Sequence, residues 1–350
     1  MTQRANVDLS PLTSFGVAAT ARELFTLTTL AELPELVRWL DGRSPLILGG
    51  GSNLLFTCNP HEPVIQVALR GRAREGTRVW AAAGEPWHPL VQWTLAQGLE
   101  GLENLALIPG TVGAAPIQNI GAYGVELVDV FERLRAYDLA GQRWVELDRA
   151  ACGFGYRESI FKHPQHRSLL ITDVHFNLQP IGSAICRTDY GGVRAEITRQ
   201  RALTTGDSRP PEWASVSPQE VARAVIAIRQ QRLPDPAQLG NAGSFFRNPI
   251  VALEVADALR ERYPALPVYD GPALPDGRSG RKLAAAWLIE RAGWKGVRRG
   301  DAGVHAEHAL VLVNHGKASG LSIAQLASEI QADIDRKFAV RLEIEPRIVS

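Results

Sequence analysis

Two stretches of this chain carry residue types and spacings that do chemistry, and several others fall short of it. Residues 46–56 read Leu-Ile-Leu-Gly-Gly-Gly-Ser-Asn-Leu-Leu-Phe, a strand, a glycine turn and an apolar strand again. Gly49, Gly50 and Gly51 followed by Ser52 and Asn53 expose successive amides with little side-chain obstruction, which makes either an anion-binding nest for a pyrophosphate or a plain tight turn. The pattern is not Gly-x-Gly-x-x-Gly opening a helix, so a Rossmann dinucleotide site is disfavoured. Between residues 99 and 130 the chain is apolar yet glycine-rich (Gly101, Gly110, Gly113, Gly121, Gly124), with no charge between Glu103 and Glu126. Buried backbone of this kind satisfies its amides only on protein or on a ligand, which points to a large ligand lying against it. The basic run Gly277-Arg278-Ser279-Gly280-Arg281-Lys282 lacks the glycine spacing and the Ser or Thr of a phosphate-binding loop and reads as solvated surface. His163-x-x-His166 is interrupted by Pro164, and neither it nor His305-x-x-His308 has an obvious third ligand, so no metal site is expected. No Gly-x-Ser-x-Gly elbow supports a serine hydrolase.

The elements that must position these loops alternate between strand and helix patterns punctuated by Gly and Pro, which predicts an α/β or α+β enzyme. Residues 28–41 place Leu30, Leu33, Leu36, Val37 and Leu40 on one helical face, and residues 45–48 read as a short buried strand leading into the glycine triplet. Ser217-Pro218-Gln219-Glu220 and Ser322-Ile323-Ala324-Gln325 both fit a capping box that starts a helix. Strands are expected over 134–138 and 169–178, and an alternating strand over 340–349. Pro210-Pro211 marks a plausible domain boundary.

Length and composition bound the rest. At 350 residues the chain is long enough for two or three domains. Lys+Arg 38 against Asp+Glu 37 argues against nucleic acid as a partner. No apolar run is long enough to span a membrane, and residues 1–8 lack the apolar core of a secretion signal, so a cytoplasmic location is expected. Cys58, Cys152 and Cys186 form neither a disulfide framework nor a zinc motif and are expected to be reduced thiols.

Seven segments in order carry a more specific resemblance: Thr13-Ser14-Phe15-Gly16; residues 48–55; Gly101-Leu102-Glu103-Asn104-Leu105 through Ile108-Pro109-Gly110-Thr111-Val112-Gly113; residues 116–124; Phe154-Gly155-Tyr156-Arg157-Glu158-Ser159-Ile160-Phe161-Lys162; Leu233-Pro234-Asp235-Pro236; and Asn241-Ala242-Gly243-Ser244-Phe245-Phe246-Arg247-Asn248-Pro249. Over almost its full length the chain resembles the UDP-N-acetylenolpyruvoylglucosamine reductases, flavoenzymes of peptidoglycan precursor synthesis, in their first type with a tyrosine loop. The resemblance implies an α+β fold, with an FAD-binding part of the vanillyl-alcohol-oxidase type made of two α/β subdomains (1–70 and 71–205). A smaller α+β substrate-binding domain (206–320) and a C-terminal helix and strand returning to the active site (321–350) follow.

The same resemblance implies noncovalent FAD, with NADPH as cosubstrate and a UDP-sugar as substrate, in a protein expected to be a monomer. The implied cofactor residues are Gly49, Gly50, Gly51, Ser52, Asn53, Pro109, Gly110, Thr111, Gly113, Ala114, Gln118, Asn119, Gly121, Ala122 and Tyr123. Reduction of an enolpyruvyl ether places negative charge on the carboxylate-bearing carbon, so donors and a proton source are needed there. By resemblance Arg157 stabilises that charge, Ser244 donates the proton and Glu345 supports it. Leu342-Glu343-Ile344-Glu345-Pro346-Arg347 departs from the family's Leu-Glu-Pro-Glu-Val-Arg, which leaves Glu343 as an alternative to Glu345. Tyr190 (in Thr188-Asp189-Tyr190-Gly191), Arg232 and Asn248 are the implied substrate contacts. A sugar-alcohol oxidase on the same flavin fold and a catalytically silent binding protein are the competing readings; Asn241 to Pro249 argues against the first, and intact Arg157 and Ser244 against the second.

Overall fold

The computed structural model of the protein describes residues 3–350; Met1 and Thr2, which open the stretch read for a secretion signal, lie outside the described residues. The chain divides into two compact units, each assembled from three segments. Of the described residues, the first takes 3–7, 21–50 and 61–231, and the second takes 8–20, 51–60 and 232–350.

The first unit is built on two sheets. Strands Thr20–Leu27, Val64–Val67 and Leu46–Leu48 run parallel, with Leu24 opposite Val64 and Ile47 opposite Ile65. The helix Leu33–Leu40 buries Leu33, Leu36 and Leu40 and ends on Asp41 in the left-handed region, whereas Leu30, expected on the same face, lies in the preceding 3-10 turn Leu30–Glu32 and is exposed. A second, five-stranded antiparallel sheet is ordered Arg143–Asp148, Phe131–Asp138, Leu169–Asn177, Arg78–Ala82, Arg72–Glu75. Trp87, at the start of helix Trp87–Ala96, is fully buried edge-on to Phe176 of that sheet, and its indole N–H donates to the Leu105 carbonyl. The helix Pro218–Arg232 begins as its capping box predicts, since the Ser217 amide and hydroxyl both donate to Glu220.

In the second unit a four-stranded antiparallel sheet is ordered Gly240–Ser244, Val311–Asn314, Ala302–Val304, Arg298–Arg299. A three-stranded sheet pairs Gly280–Leu283 with both Ile250–Ala252 and Val268–Asp270. The long helix Gly320–Phe338 buries Ile323, Leu326, Ala327, Ile330 and Ile334 along one stripe. Its start corrects the sequence reading: the cap is Ser319, whose hydroxyl accepts from the Ser322 amide, and Ser322 stands one turn inside the helix. The terminal strand is shorter than expected. Only Arg347–Val349 is a strand, parallel to Leu54–Phe56, while residues 340–346 form no regular element beyond a bridge between Ile344 and Phe246 and a bend at Pro346. Pro346 contributes no amide to a ladder, so regular pairing starts after it. Among the described residues no helix is long and apolar enough to cross a membrane.

Candidate active site

In the first unit the glycine turn meets the neutral loop directly. A Cβ on Gly49 would stand 2.7 Å from the Thr111 hydroxyl, and one on Gly50 would stand 2.8 Å from Gly110 Cα. The loop is fixed by its own backbone: Val112 and Gly113 amides donate to the Glu85 and Ala83 carbonyls, and the Gly110 carbonyl accepts from Trp87. A 3-10 helix Val112–Gln118 follows, stopped by Asn119 at φ 43°. Asn119 is fully buried, and its side chain donates to Glu126 and Gly155 and accepts from Val128. That amide is committed to the protein, so what Asn119 does for a ligand it does by shaping the loop. The hairpin Gly121–Ala122 with Val125–Glu126 turns on Tyr123 and Gly124, both at positive φ as a type I′ turn requires.

Arg157 lies in a tight turn closed by hydrogen bonds between Gly155 and Glu158, at φ 55°, a region costly for a side chain other than glycine. Among the contacts that hold it there, Lys162 donates to its carbonyl at 2.7 Å, and its own Nη2 donates to the Gly121 carbonyl at 2.6 Å. The sequence reading missed a second cation beside it. Burial pulls the Arg229 guanidinium below its ordinary pKa, Tyr123 offsets this in part, and neighbouring Arg157 adds to the fall. Its Nε donates to the Leu107 carbonyl at 3.2 Å. The signal was present, because Arg229 falls four residues after Val225 and eight after Val221, on the helix face whose other members are buried. Tyr190, also in this unit, is 47% exposed.

The second unit contains the serine motif. The strand Gly240–Ser244 pairs Asn241 with Val313 and Ser244 with Val311, so it holds one residue more than its partner and bulges at Ala242-Gly243. Gly243 sits at φ 68° with nothing within 4 Å of a would-be Cβ, so the glycine serves the bulge's dihedral rather than a close approach. The Asn241 side chain locks the bulge, accepting from the Gly243 amide and donating to the Pro234 and Leu239 carbonyls. Ser244 emerges half-buried. Beside it the Glu345 amide donates to the Phe245 carbonyl at 2.9 Å, and the Glu343 carbonyl accepts from Arg247. The two glutamates differ in exposure: the Glu343 side chain is 74% exposed and pairs with Arg247, whereas Glu345 is half-buried.

The motif Thr13-Ser14-Phe15-Gly16 explains itself in the same unit. A Cβ on Gly51 would overlap the Leu12 carbonyl oxygen at 2.0 Å, and the Ser14 amide donates to the Gly51 carbonyl. The Ser14 carbonyl in turn accepts from Asn241. One short segment therefore ties the end of the glycine turn to the serine-bearing strand. Asn53 belongs to this network, its carbonyl accepting from Arg347 and its side chain donating to the Glu345 carbonyl. Arg232 is exposed at a helix end. Asn248 uses its side-chain oxygen to accept from the Ala285 amide at the start of helix Ala285–Arg291, so half of its amide serves a cap. Of the run read as solvated surface, 277–279 are exposed, with Arg278 on Asp276, but Gly280 is buried and opens the central strand Gly280–Leu283, where half-buried Arg281 pairs with Asp270.

A flavin fits the loops of the first unit on two observations. The Thr111 hydroxyl, beside Gly49, is buried with no hydrogen-bond partner among the described residues, a costly state that an additional ligand relieves. Gly50 also meets Gly110 backbone to backbone, so peptide groups and not side chains form that junction.

The α+β fold and these loops define a flavin-dependent oxidoreductase: the family model for the FAD binding domain matches residues 21–147, and that for the UDP-N-acetylenolpyruvoylglucosamine reductase C-terminal domain matches residues 235–349. The reductase of that name from Chromobacterium violaceum is 49% identical over 99% of this chain and 98% of its own length. That from Pseudomonas fluorescens Pf-5 is 46% identical over 99% of this chain and 98% of its own. The chain belongs to the UDP-N-acetylenolpyruvoylglucosamine reductase family. The crystal structure of the enzyme from Thermus caldophilus shares the fold, with a TM-score of 0.64 at 24% identity over 99% of this chain and 100% of that one.

Proposed function

We propose that the protein reduces the enolpyruvyl ether of a UDP-N-acetylglucosamine to the D-lactyl ether, giving UDP-N-acetylmuramate for peptidoglycan, with NADPH as the electron donor. The observation that carries this reading is the Asn241–Ser244 bulge, which aims a half-buried serine out of an otherwise regular strand in a chain of this family. FAD, held by Gly49 to Asn53 and by the loop from Pro109 through Gly110, Thr111, Gly113, Ala114, Gln118 and Asn119 to Gly121, Ala122 and Tyr123, supplies two-electron transfer from the nicotinamide to the distal carbon of the double bond. The loop segments 48–56 and 104–125 contain neither His nor Cys, which accords with noncovalent binding.

The chain's own groups handle charge and the proton. Arg157 is assigned to the substrate carboxylate, where charge develops as the double bond is reduced, and a guanidinium with fixed orientation stabilises it without reorganising. Ser244 gives its hydroxyl proton to the carboxylate-bearing carbon, completing the addition of two electrons and two hydrogens across the bond. Glu345 supports the charge relay; its half-buried position next to Phe245 favours it over exposed Glu343. Tyr190, Arg232 and the free half of the Asn248 amide are assigned to the sugar nucleotide. Included in the proposal are a cytoplasmic monomer and a division of labour in which 1–70 and 71–205 bind FAD, 206–320 binds substrate and 321–350 returns to the active site.

Stopped-flow mixing tests the reading in two steps. NADPH is expected to bleach the flavin absorbance, and the enolpyruvyl UDP-sugar to restore it without oxygen. Restoration by oxygen alone, with the enol ether inert, would replace this function by an oxidase.

A further inference from the structure

Leu107 leads the chain into the flavin loop, and its backbone stands at φ 58°, in the left-handed region where a leucine is strained. Both of its peptide groups are held by side chains from two different helices. The amide donates to His88 Nδ1 at 3.0 Å, from helix Trp87–Ala96, and the carbonyl accepts from Arg229 Nε at 3.2 Å, from helix Pro218–Arg232. A left-handed leucine persists only where its surroundings over-determine it, and these two bonds do so from either side.

The first turn of Trp87–Ala96 meets the same stretch at three points. The Trp87 indole donates to the Leu105 carbonyl, His88 accepts from the Leu107 amide, and the Trp87 amide donates to the Gly110 carbonyl, one residue before the Thr111 hydroxyl beside Gly49. Of the three bonds only that to His88 depends on pH. Nδ1 accepts only while it carries no proton, so the bond requires the neutral ring with its hydrogen on Nε2. The surroundings of half-buried His88 favour that form: burial, and then the positive charge of Arg229, hold the imidazole below its ordinary pKa of 6.5. Other charged groups around this helix are turned to partners of their own. Arg72 donates to the Pro89 carbonyl and lies over Trp93, Glu85 accepts from the Gly71 amide, Glu100 from the Gly182 and Ala184 amides, and Glu103 from the Gly101 amide.

We propose that His88 is a positioning residue for the flavin loop: its neutral ring secures Leu107 in the left-handed turn, and its protonation releases the entry to the loop and loosens the bound cofactor. The inference rests on the flavin reading only for what occupies the loop; the bond between His88 and Leu107 is independent of it. The sign follows from the direction of the shift. With its pKa held below 6.5 in the fold, His88 keeps the bond at neutral pH and loses it as pH falls through that lowered value.

Two variants separate the bond from the bulk of the ring. His88→Asn offers an oxygen near the position of Nδ1 and does not titrate, whereas His88→Phe keeps a ring and offers no acceptor. FAD release from the holoenzyme, followed by flavin fluorescence after dilution, is expected to quicken about fivefold or more between pH 7.5 and 5.0 in wild type and less than about twofold in His88→Asn. His88→Phe is expected to release FAD about tenfold faster than wild type at pH 7.5, with little further change toward pH 5.0. Protection of the Leu107 amide against hydrogen exchange, corrected for the intrinsic rate at each pH, is expected to drop about fivefold over the same range in wild type and to stay level in His88→Asn. A wild-type pH profile retained in His88→Asn would overturn the proposal, as would level Leu107 protection in wild type or a folded His88→Phe that keeps FAD as long as wild type. If His88→Phe does not fold, wild type against His88→Asn decides. A protein that takes up no flavin while Leu107 protection follows the expected profile would sink the flavin reading and leave the fastening in place.

Discussion

The proton donor proposed here, Ser244, is a demanding choice, since an alcohol is a very weak acid and gives up its proton only where the resulting charge is stabilised. On that proposal its task begins only once the flavin is reduced. Ser244→Ala is therefore expected to retain FAD and to be reduced by NADPH at close to the wild-type rate, while reoxidation by the enolpyruvyl substrate falls by several orders of magnitude. Ser244→Cys keeps an ionisable proton and is expected to retain more activity than the alanine variant. Near-normal reoxidation of Ser244→Ala in a stopped-flow trace would remove the serine from its role. The glutamates separate on exposure: Glu345→Gln is expected to slow substrate reduction at least about tenfold more than Glu343→Gln, because Glu343 lies in solvent on Arg247, where an ion pair contributes little. The reverse order of rates would transfer the role to Glu343.

Local chemistry made some elements legible in the sequence and hid others. The Ser217 capping box and the apolar stripe of Leu33–Leu40 depend on neighbours within one or two turns, and both appear where the pattern puts them. Ser319 and Ser322 both suit a cap, so sequence placed the start of Gly320–Phe338 three residues late. The strand expected over 340–349 pairs regularly only beyond Pro346, and its partners, Leu54–Phe56 and Phe246, are far away in sequence, where a periodicity argument does not reach. For the site, the glycine triplet and the serine motif were readable as motifs, but His88 and Arg229 were not assigned, since their meaning lies in the Leu107 backbone groups they meet. Gly243 illustrates what a motif conceals, for the letter glycine does not say whether space or dihedral is at stake. With open space around it, Gly243→Ala is expected to fold and to lose about 1–2 kcal/mol, the cost of a left-handed alanine. A urea titration reads the loss, and an unchanged midpoint would mean that the bulge has relaxed.

Across the whole molecule, acid stability is concentrated in a few tightly bonded carboxylates. Arg201 holds Glu220 with two hydrogen bonds, at 2.7 and 3.0 Å, and this, against the opposing effect of burial and with help from Ser217, lowers its pKa from 4.5 to about 2. The unfolded chain then takes up a proton near 4.5 that the folded chain refuses until about 2, so the stabilisation is complete above about pH 5 and is lost as pH falls toward 2. Glu220→Gln is expected to cost about 1–2 kcal/mol at pH 7, a figure reduced for solvent screening, and visibly less at pH 3. Denaturation midpoints of both proteins at pH 7, 5 and 3 check this, and a gap that does not narrow would place the stabilisation elsewhere.

The pairing of Arg347–Val349 with Leu54–Phe56 also sets a timetable for biosynthesis. Thr57 and its hydrogen-bonding partner Val349 are separated by 292 positions. At ribosomal speeds of about 5–20 residues per second, the strand that follows the glycine turn waits roughly a quarter of a minute to a minute for its partner to be translated. The second unit therefore closes only once residues 347–349 have been made, and its apolar Leu54, Leu55 and Phe56 lack their strand partner until then.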